Sequence, residues 1–568
     1  MSAIVLLVIG LAMFAGGYLL YSKYLAQKVY KLDPSFTAPS HELNDGIDYV
    51  PTNKFVLWGH HFTSVAGAAP IVGPAVAVIW GWLPAFLWVT IGTVFFAGMH
   101  DLGALWASER NKGRSMGSLS SRYIGKRGAN LFLVVIFLLL LMVVAAFAVV
   151  ITNLLISTPT AVIPAWGAVA VALFVGVAVY KLRWNLLLVT AIGVVALYAL
   201  IVLGDAVPVV LPETILGMSP ATFWIVTLFV YAGIASLLPV WVLLQPRDYI
   251  NGVQLFIGLA ILFIAVLVSA PKLVVPAINE NVPDGTPGIV PLLFVTIACG
   301  AISGFHGMVS SGTSAKQIDS EPDARFIGYF GAVGEGMLAL GAILATTAGF
   351  QTLAQWEEIY TAFGQGGVGA FVAGGGHLVN AGLGLPVSLS ATVLATMAVL
   401  FAATTMDTGV RLMRFVVQEA GDAARIKLGK YTATLIVLVV SMALVFSQGM
   451  DGSGGLTIWP LFGTTNQLLA SLTLLIVAVM LVRKRRNPWP AIIPLLFVFV
   501  MSFYAAFVQI GTFVDTGNWL LLVLDIVIIL AAVWVSVEAV VALRKAFAEP
   551  PEAPDADVPD VVGDLLKR

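Results

Sequence analysis

Apolar runs of roughly 20 residues, separated by charged or Gly/Pro-rich connectors, follow one another along the chain. Each is long enough to cross a bilayer as a helix. The pattern predicts about fifteen spans, at 3–21, 61–80, 84–108, 129–152, 164–181, 184–204, 222–244, 250–270, 291–313, 326–350, 388–417, 431–447, 456–482, 489–510 and 519–543. The first run lacks a basic leader and exceeds a signal-peptide core, so it is expected to stay as a helix. Residues 351–387 break the texture, with no Lys or Arg and nine glycines from Gly364 to Gly384. Their apolar part, within 364–385, suits a short re-entrant or surface helix. The acidic, proline-rich tail at 548–568 reads as disordered and solvated.

Composition agrees with a membrane setting. Of 568 residues, 59% are hydrophobic and 10% charged, with a mean hydropathy of +0.97, against about 25% charged in soluble domains. A net charge of −1 excludes the basic excess of a nucleic-acid binder. The single cysteine, Cys299, excludes a disulfide framework and any multi-cysteine metal site. Charge placement is more informative than the total. If alternate connectors lie on opposite faces, all 29 Lys and Arg except Lys272 fall on one set. By the positive-inside rule, this supports the span count and puts the N-terminus outside and the C-terminus in the cytoplasm.

Glycine and proline inside spans mark where chemistry can sit. The second span carries Gly67-Ala68-Ala69-Pro70-Ile71-Val72-Gly73-Pro74, which cannot form an undisturbed helix, since each proline removes a donor and clashes with the preceding turn. The seventh carries Gly233-Ile234-Ala235-Ser236-Leu237-Leu238-Pro239. Irregular backbone at membrane depth survives only where protein or a water-filled cavity satisfies it. Paired interrupted spans point to the binding site of a secondary transporter. Five spans separate the two, an odd number, so they run in opposite directions. Spans 2–6 and 7–11 then form inverted five-helix repeats. The competing reading is close helix packing through small residues.

The ninth span is polar, from Cys299 through Ser303 and His306 to Ser310, Ser311 and Thr313. Its hydroxyls suit a desolvated cation or a substrate, or simply bond back to their own helix. Intramembrane carboxyls are functional hypotheses by default: Asp101 beside His100, Glu335, Asp407 and Asp525. Arg411 lies at i+4 from Asp407, a spacing that neutralises both. Glu335 has no such neighbour, which favours it as a proton carrier. His306 has the near-neutral intrinsic pKa of an imidazole. Pro246 is expected to end the seventh span, with Arg247 and Asp248 as an inner-gate ion pair. Adjacent His60 and His61 point about 100° apart on a helix and make a poor chelate, so no metal site is expected. There is no phosphate-cradling loop and no nucleophile–base constellation, so no enzyme and no cofactor is predicted.

Several of these motifs together resemble the carbon starvation protein (CstA) family: Gly59-His60-His61-Phe62, Ala66–Pro74, His100-Asp101, Gln245-Pro246-Arg247-Asp248-Tyr249, Cys299-Gly300-Ala301-Ile302-Ser303-Gly304-Phe305-His306, Ser310–Thr313, Thr405–Thr408 and Trp459–Gly463. The resemblance runs from about residue 30 to 480. It implies an all-α polytopic transporter of the bacterial inner membrane with a LeuT-like 5+5 inverted-repeat core, importing peptides or pyruvate, in part driven by protons, in carbon starvation. The implied organisation is a peripheral N-terminal helix (1–22), a first repeat (61–204), an inverted second repeat (222–418) and four peripheral helices (431–543). Spans 2 and 7 become the discontinuous helices, with span 9 facing span 2. The implied substrate residues are Gly67, Ala68, Ala69, Pro70, Gly73, Gly233, Ser236, Pro239, Ser303 and His306. The implied coupling residues, for H⁺ or Na⁺, are Ser310, Ser311, Thr313, Asp101, Glu335, Asp407 and His61, with Arg247 and Asp248 as gate. The rival reading is a nutrient-sensing receptor that does not transport.

Overall fold

The computed structural model describes residues 1–423 and 425–548. Of the tail, only Ala548 is among them; the rest of the expected disordered segment lies outside the described residues. These residues are helical, with no strand beyond three isolated bridges. In chain order the main helices are α1 (Ala3–Val29), α2 (Lys54–Ala66), α3 (Ala69–Trp80), α4 (Trp82–Glu109), α5 (Lys126–Ser157), α6 (Pro159–Lys181), α7 (Leu186–Ala206), α8 (Pro220–Leu237) and α9 (Leu244–Ser269). Then come α10 (Ile289–Thr296), α11 (Gly304–Gly312), α12 (Arg325–Ala348), α13 (Gly367–Leu383) and α14 (Val387–Ala423). The last four are α15 (Lys430–Val445), α16 (Trp459–Arg483), α17 (Trp489–Asp515) and α18 (Trp519–Ala548).

Local chemistry sets several starts. Asn53 and Asn185 accept backbone N–H groups at the heads of α2 and α7, and Ser219 caps α8 with Pro220 at its first position. Such side chains satisfy donors that no preceding carbonyl can reach. Among the described residues, twelve helices are long and apolar enough to cross a bilayer, or thirteen with α2 and α3 taken as one span bent by 44°. The other two expected spans fall on the 16-residue α15 and on α10 and α11, which are separated by seven residues.

The interior is formed by α5, α12, α14 and α16, whose apolar faces are buried against each other and their neighbours. In contrast, α1, α7, α17 and α18 present leucines, isoleucines and valines outward, among them Leu187, Val195, Ile493 and Leu530. An apolar outer face is what a lipid environment calls for. The chain start bonds to 271–273, with the Ala3 N–H donating to Pro271 O at 2.9 Å and Leu273 N–H to Met1 O at 3.0 Å. The N-terminus therefore shares an end of the bundle with Lys272. The glycine-rich 364–385 contains the helix α13, packed against α9, α12 and α14.

The second interruption is not where the glycine and proline pattern puts it. Helix α8 passes through Gly233 unbroken and stops at Leu237. A short turn then leads into α9, where Pro246 occupies the first turn instead of ending a helix. A missing N–H costs nothing there, because first-turn donors have no intrahelical partner. The true second break is Ile297–Ser303, between α10 and α11. It lies inside the expected second repeat, not at its head. Seven spans separate the two breaks, still an odd number.

Candidate functional site

The two interrupted helices lie side by side. His61 Nδ1 meets Ser314 Oγ at 2.8 Å, Gly300 lies against Pro70 and Gly73 against Thr296, and Trp80 Nε1 donates to Pro287 O at 3.0 Å. Residue numbers rise along one helix as they fall along the other, so the pair is antiparallel with its breaks level. At the first break Gly67 adopts φ +55, with Phe147 and Thr405 so close that a Cβ would stand 2.6 and 2.8 Å from them. A Cβ on Gly73 would stand 2.4 Å from Thr296 O. Only glycine permits this approach.

The second break is held open by distant side chains. Trp88 Nε1 donates to Ile297 O (3.1 Å), Thr93 Oγ1 to Gly300 O (3.0 Å) and Gln467 Nε2 to Ile302 O (3.0 Å), while Asn466 Oδ1 accepts from Phe305 N (2.9 Å). These bonds satisfy the backbone groups that the helix gives up.

A cavity flanks each side of the paired breaks. One, of about 420 Å³, is bordered by Val72 and Val76 of α3, Thr296 of α10, Trp459 and Gln509. The other, of about 280 Å³, is bordered by Ser311 and Gly312 of α11, Lys316, Tyr49 and Glu419. Lys316 stands over the rings of Tyr49 and Phe415, 5.4 and 5.1 Å from their centroids. Burial pulls its amine below the usual lysine range. Burial, together with Asp45 and Asp48, pushes the Tyr49 hydroxyl up to about 12.

A buried ionic network sits just before the first break. Arg247 donates to Asp248 Oδ1 through Nε (3.2 Å) and Nη2 (2.9 Å), and through Nη1 to Asp407 and to Tyr231 Oη (2.5 Å). His60 Nδ1 donates to Asp248 Oδ2 at 2.6 Å, and Ser64 Oγ to the same oxygen at 3.3 Å. Thr405 Oγ1 donates to Ser64 O at 3.1 Å, which ties the network to the turn carrying Gly67. Four helices meet here: α2, α8, α9 and α14. Asp407 Oδ1 has no hydrogen-bond partner among the described residues.

A second buried cluster lies at the other break. His306 Nδ1 donates to Asp101 Oδ2 and His100 Nδ1 to Asp101 Oδ1, both at 2.8 Å. His306 Nε2 faces Glu335 Oε2 at 3.2 Å. Cys299 adjoins them, accepting an N–H from Asn466 at 3.2 Å.

The expected site residues divide accordingly. Gly67, Ala68, Ala69, Pro70 and Gly73 form the first break and the start of α3; of these Pro70 lies against Gly300 and Gly73 against Thr296 and Ile297, while Ser303 bonds to Cys299 and Asn466. His306, Asp101 and Glu335 come together, as do Arg247 and Asp248. Asp407 pairs with Arg247 across helices, not with Arg411; that guanidinium turns to Leu238 O and Asp48. Gly233, Ser236 and Pro239 are not at the breaks: Gly233 packs on Leu438, and Ser236 bonds within its own helix while its carbonyl accepts from Arg414. Ser311 and Thr313 return their hydroxyls to carbonyls one turn back, and Ser311 Oγ also accepts the Met116 N–H at 3.1 Å, whereas Ser310 Oγ has no partner among the described residues. His61 diverges from His60, as adjacent helical residues must. Tyr231 and Asn466 were not singled out as site residues, being ordinary polar residues whose importance is positional, whereas Thr405 stands in the Thr405–Thr408 motif.

A family model described as carbon starvation protein CstA matches residues 2–355 and 347–505. A relative from Campylobacter jejuni, named peptide transporter CstA, is 33% identical over 91% of this chain and 81% of its own length. The Escherichia coli pyruvate/proton symporter BtsT is 31% identical over 89% and 81%, and the Bacillus subtilis peptide transporter CstA is 30% identical over 94% and 97%. Among solved structures, a manganese transporter from Eremococcus coleocola matches with a TM-score of 0.47 at 12% identity, over 89% of this chain and 99% of its own; a likeness this distant carries no argument. The apolar helices and the relatives together identify a multi-pass membrane protein. The chain belongs to the carbon starvation protein CstA family.

Proposed function

We propose that this protein is a proton-coupled symporter that imports a carboxylate-bearing nutrient, a short peptide or a small acid such as pyruvate, across the bacterial inner membrane by alternating access. The observation that carries the proposal is Arg247, buried between Asp248 and Asp407, with Asp248 bonded to Ser64 one turn before the first helix break. An uncompensated buried guanidinium is costly, so it exchanges one carboxylate for another more readily than it stands alone. A proton on Asp407 weakens its hold on Arg247. A substrate carboxylate then takes that place, aided by the positive end of α3, which begins at the break. Proton and substrate thus enter together, in one-to-one stoichiometry.

The network also joins α2 to α8, α9 and α14, so its rearrangement loosens those helices from one another. The cavities on either side of the breaks support alternating access, and the antiparallel breaks support an inverted core in which the membrane-outside N-terminus and cytoplasmic C-terminus follow the charge asymmetry. A cavity of about 420 Å³ falls in the range of small-molecule sites and admits either substrate class.

Uptake into proteoliposomes tests the reading. An inward proton gradient is expected to drive accumulation of pyruvate, a dipeptide or a tripeptide, and preloaded vesicles to show counterflow. If none of the three accumulates, the proposal is wrong; binding without counterflow would indicate a sensor instead.

A further inference from the structure

The cluster at the second break has the chemistry of a metal site. Cys299 Sγ, an imidazole nitrogen of His306 and a carboxylate oxygen of Glu335 all lie within 4.8 Å of one another, and all three residues are buried. Among the described residues, His306 Nε2 and both Glu335 oxygens lack a hydrogen-bond partner. Although Nε2 and Oε2 are 3.2 Å apart, they are not aligned as donor and acceptor. Three potential ligand atoms are thus gathered in one small buried space.

The surroundings are those of a ligand shell. Asp101 accepts the His306 Nδ1–H at 2.8 Å, which fixes the tautomer and leaves the Nε2 lone pair directed at Cys299 and Glu335. A carboxylate behind a ligating histidine is the usual arrangement at zinc centres. Asp101 is itself held by His100. Asn466 and Ser303 stand 3.2 Å from Cys299 Sγ, the amide N–H supporting a thiolate. Charge favours the same conclusion: a thiolate and a carboxylate offset the two charges of a divalent cation, and a carboxylate so paired is far less costly at membrane depth than an isolated one.

We infer that Cys299, His306 and Glu335 form a binding site for a thiophilic divalent transition metal, of the Zn²⁺ class, resident at the second helix break. One thiolate, one imidazole and one carboxylate are zinc ligands, with bonds of about 2.0–2.3 Å. Donor atoms around such an ion stand roughly 3.3–3.8 Å apart, so binding draws this trio together by about an ångström. The ion would tie the non-helical segment, through Cys299, to α11 and α12. This inference does not depend on which nutrient is carried, and it leaves proton handling to Asp407.

Cobalt substitution tests it directly. The full-length protein, purified in detergent and stripped with a chelator, is loaded with Co²⁺ and desalted. The expected result is one Co²⁺ per chain with an intense near-ultraviolet thiolate-to-cobalt charge-transfer band. Because Cys299 is the chain's single cysteine, no other residue can produce that band. Cys299→Ser abolishes it, Glu335→Gln lowers retention, and Asp101→Asn weakens affinity by about 10- to 100-fold while keeping the band. Zn²⁺ raises the melting temperature of the wild type but not of Cys299→Ser. If a variant fails to fold, the wild-type spectrum still decides. Cobalt retained without a charge-transfer band, or none retained, overturns the inference.

Discussion

Replacing Asp407 by Asn separates the proton from the substrate. The amide keeps the shape of the carboxyl and removes its charge, as protonation does. Arg247 loses one charged acceptor but keeps two donations to Asp248 and one to Tyr231. A hydrogen bond to a charged group contributes about 1.5–3 kcal/mol, and that amount no longer competes with an incoming carboxylate. Binding at alkaline pH is therefore predicted to tighten by roughly 10- to 100-fold. The pH dependence follows with a definite sign. Wild-type binding needs a protonated Asp407, so above the titration of that group its affinity falls about tenfold per pH unit. In the variant the slope vanishes. Removing one partner of a buried ion pair costs about 3–5 kcal/mol, and the retained Asp248 puts this variant at or below the lower end. Equilibrium binding of labelled pyruvate and dialanine to purified protein, from mildly acidic to alkaline pH, reads both effects. A variant that keeps the wild-type slope refutes the assignment of the proton to Asp407.

Three further outcomes are expected. Gly73→Val, which forces side-chain atoms onto Thr296 O, is predicted to cost at least about 1–3 kcal/mol and to abolish uptake; a melting curve and a flux assay check this, and an active, equally stable variant would remove the case for close apposition of the breaks. Arg411→Gln is predicted to lower the melting temperature through loss of the bond to Leu238 O while leaving the pH dependence of binding intact, unlike Arg247→Gln, which should eliminate binding. Single cysteines at the exposed positions Gln365 and Arg485, in a Cys299→Ser background, are predicted to react with an impermeant maleimide in intact cells at 365 and to be protected at 485; the reverse pattern inverts the orientation.

The helices themselves were legible because apolar length is a local property: each of the fifteen apolar runs coincides with a helix or a helix pair. The first break was legible too, since Gly67 takes a positive φ and Pro70 stands in the first turn of α3, whereas Pro74 is carried inside that helix. The second was misplaced for a physical reason. Gly233 costs a helix only about 1 kcal/mol, and Pro239 and Pro246 flank a turn without breaking a span. Residues 297–303 contain a single glycine and no proline. They are non-helical because Trp88, Thr93, Asn466 and Gln467, remote in sequence, supply the missing hydrogen bonds. The partner of Asp407 was hidden similarly. Spacing pointed to Arg411 one turn away, whereas packing delivers Arg247 from 160 positions away. Glu335, His306 and Asp101 stood out individually as buried ionisable groups, but their convergence with Cys299 is a tertiary fact.

The central claim is that one proton and one carboxylate cross together through the Arg247–Asp407 exchange. Vesicles containing the protein and a trapped pH-sensitive dye, with no imposed gradient, test it most directly. Adding pyruvate or dialanine outside is predicted to acidify the lumen of wild-type vesicles in step with labelled substrate uptake. Asp407→Asn vesicles are predicted to exchange labelled substrate without acidification. Wild-type uptake with no pH change, or acidification by the variant at the wild-type rate, would contradict the account.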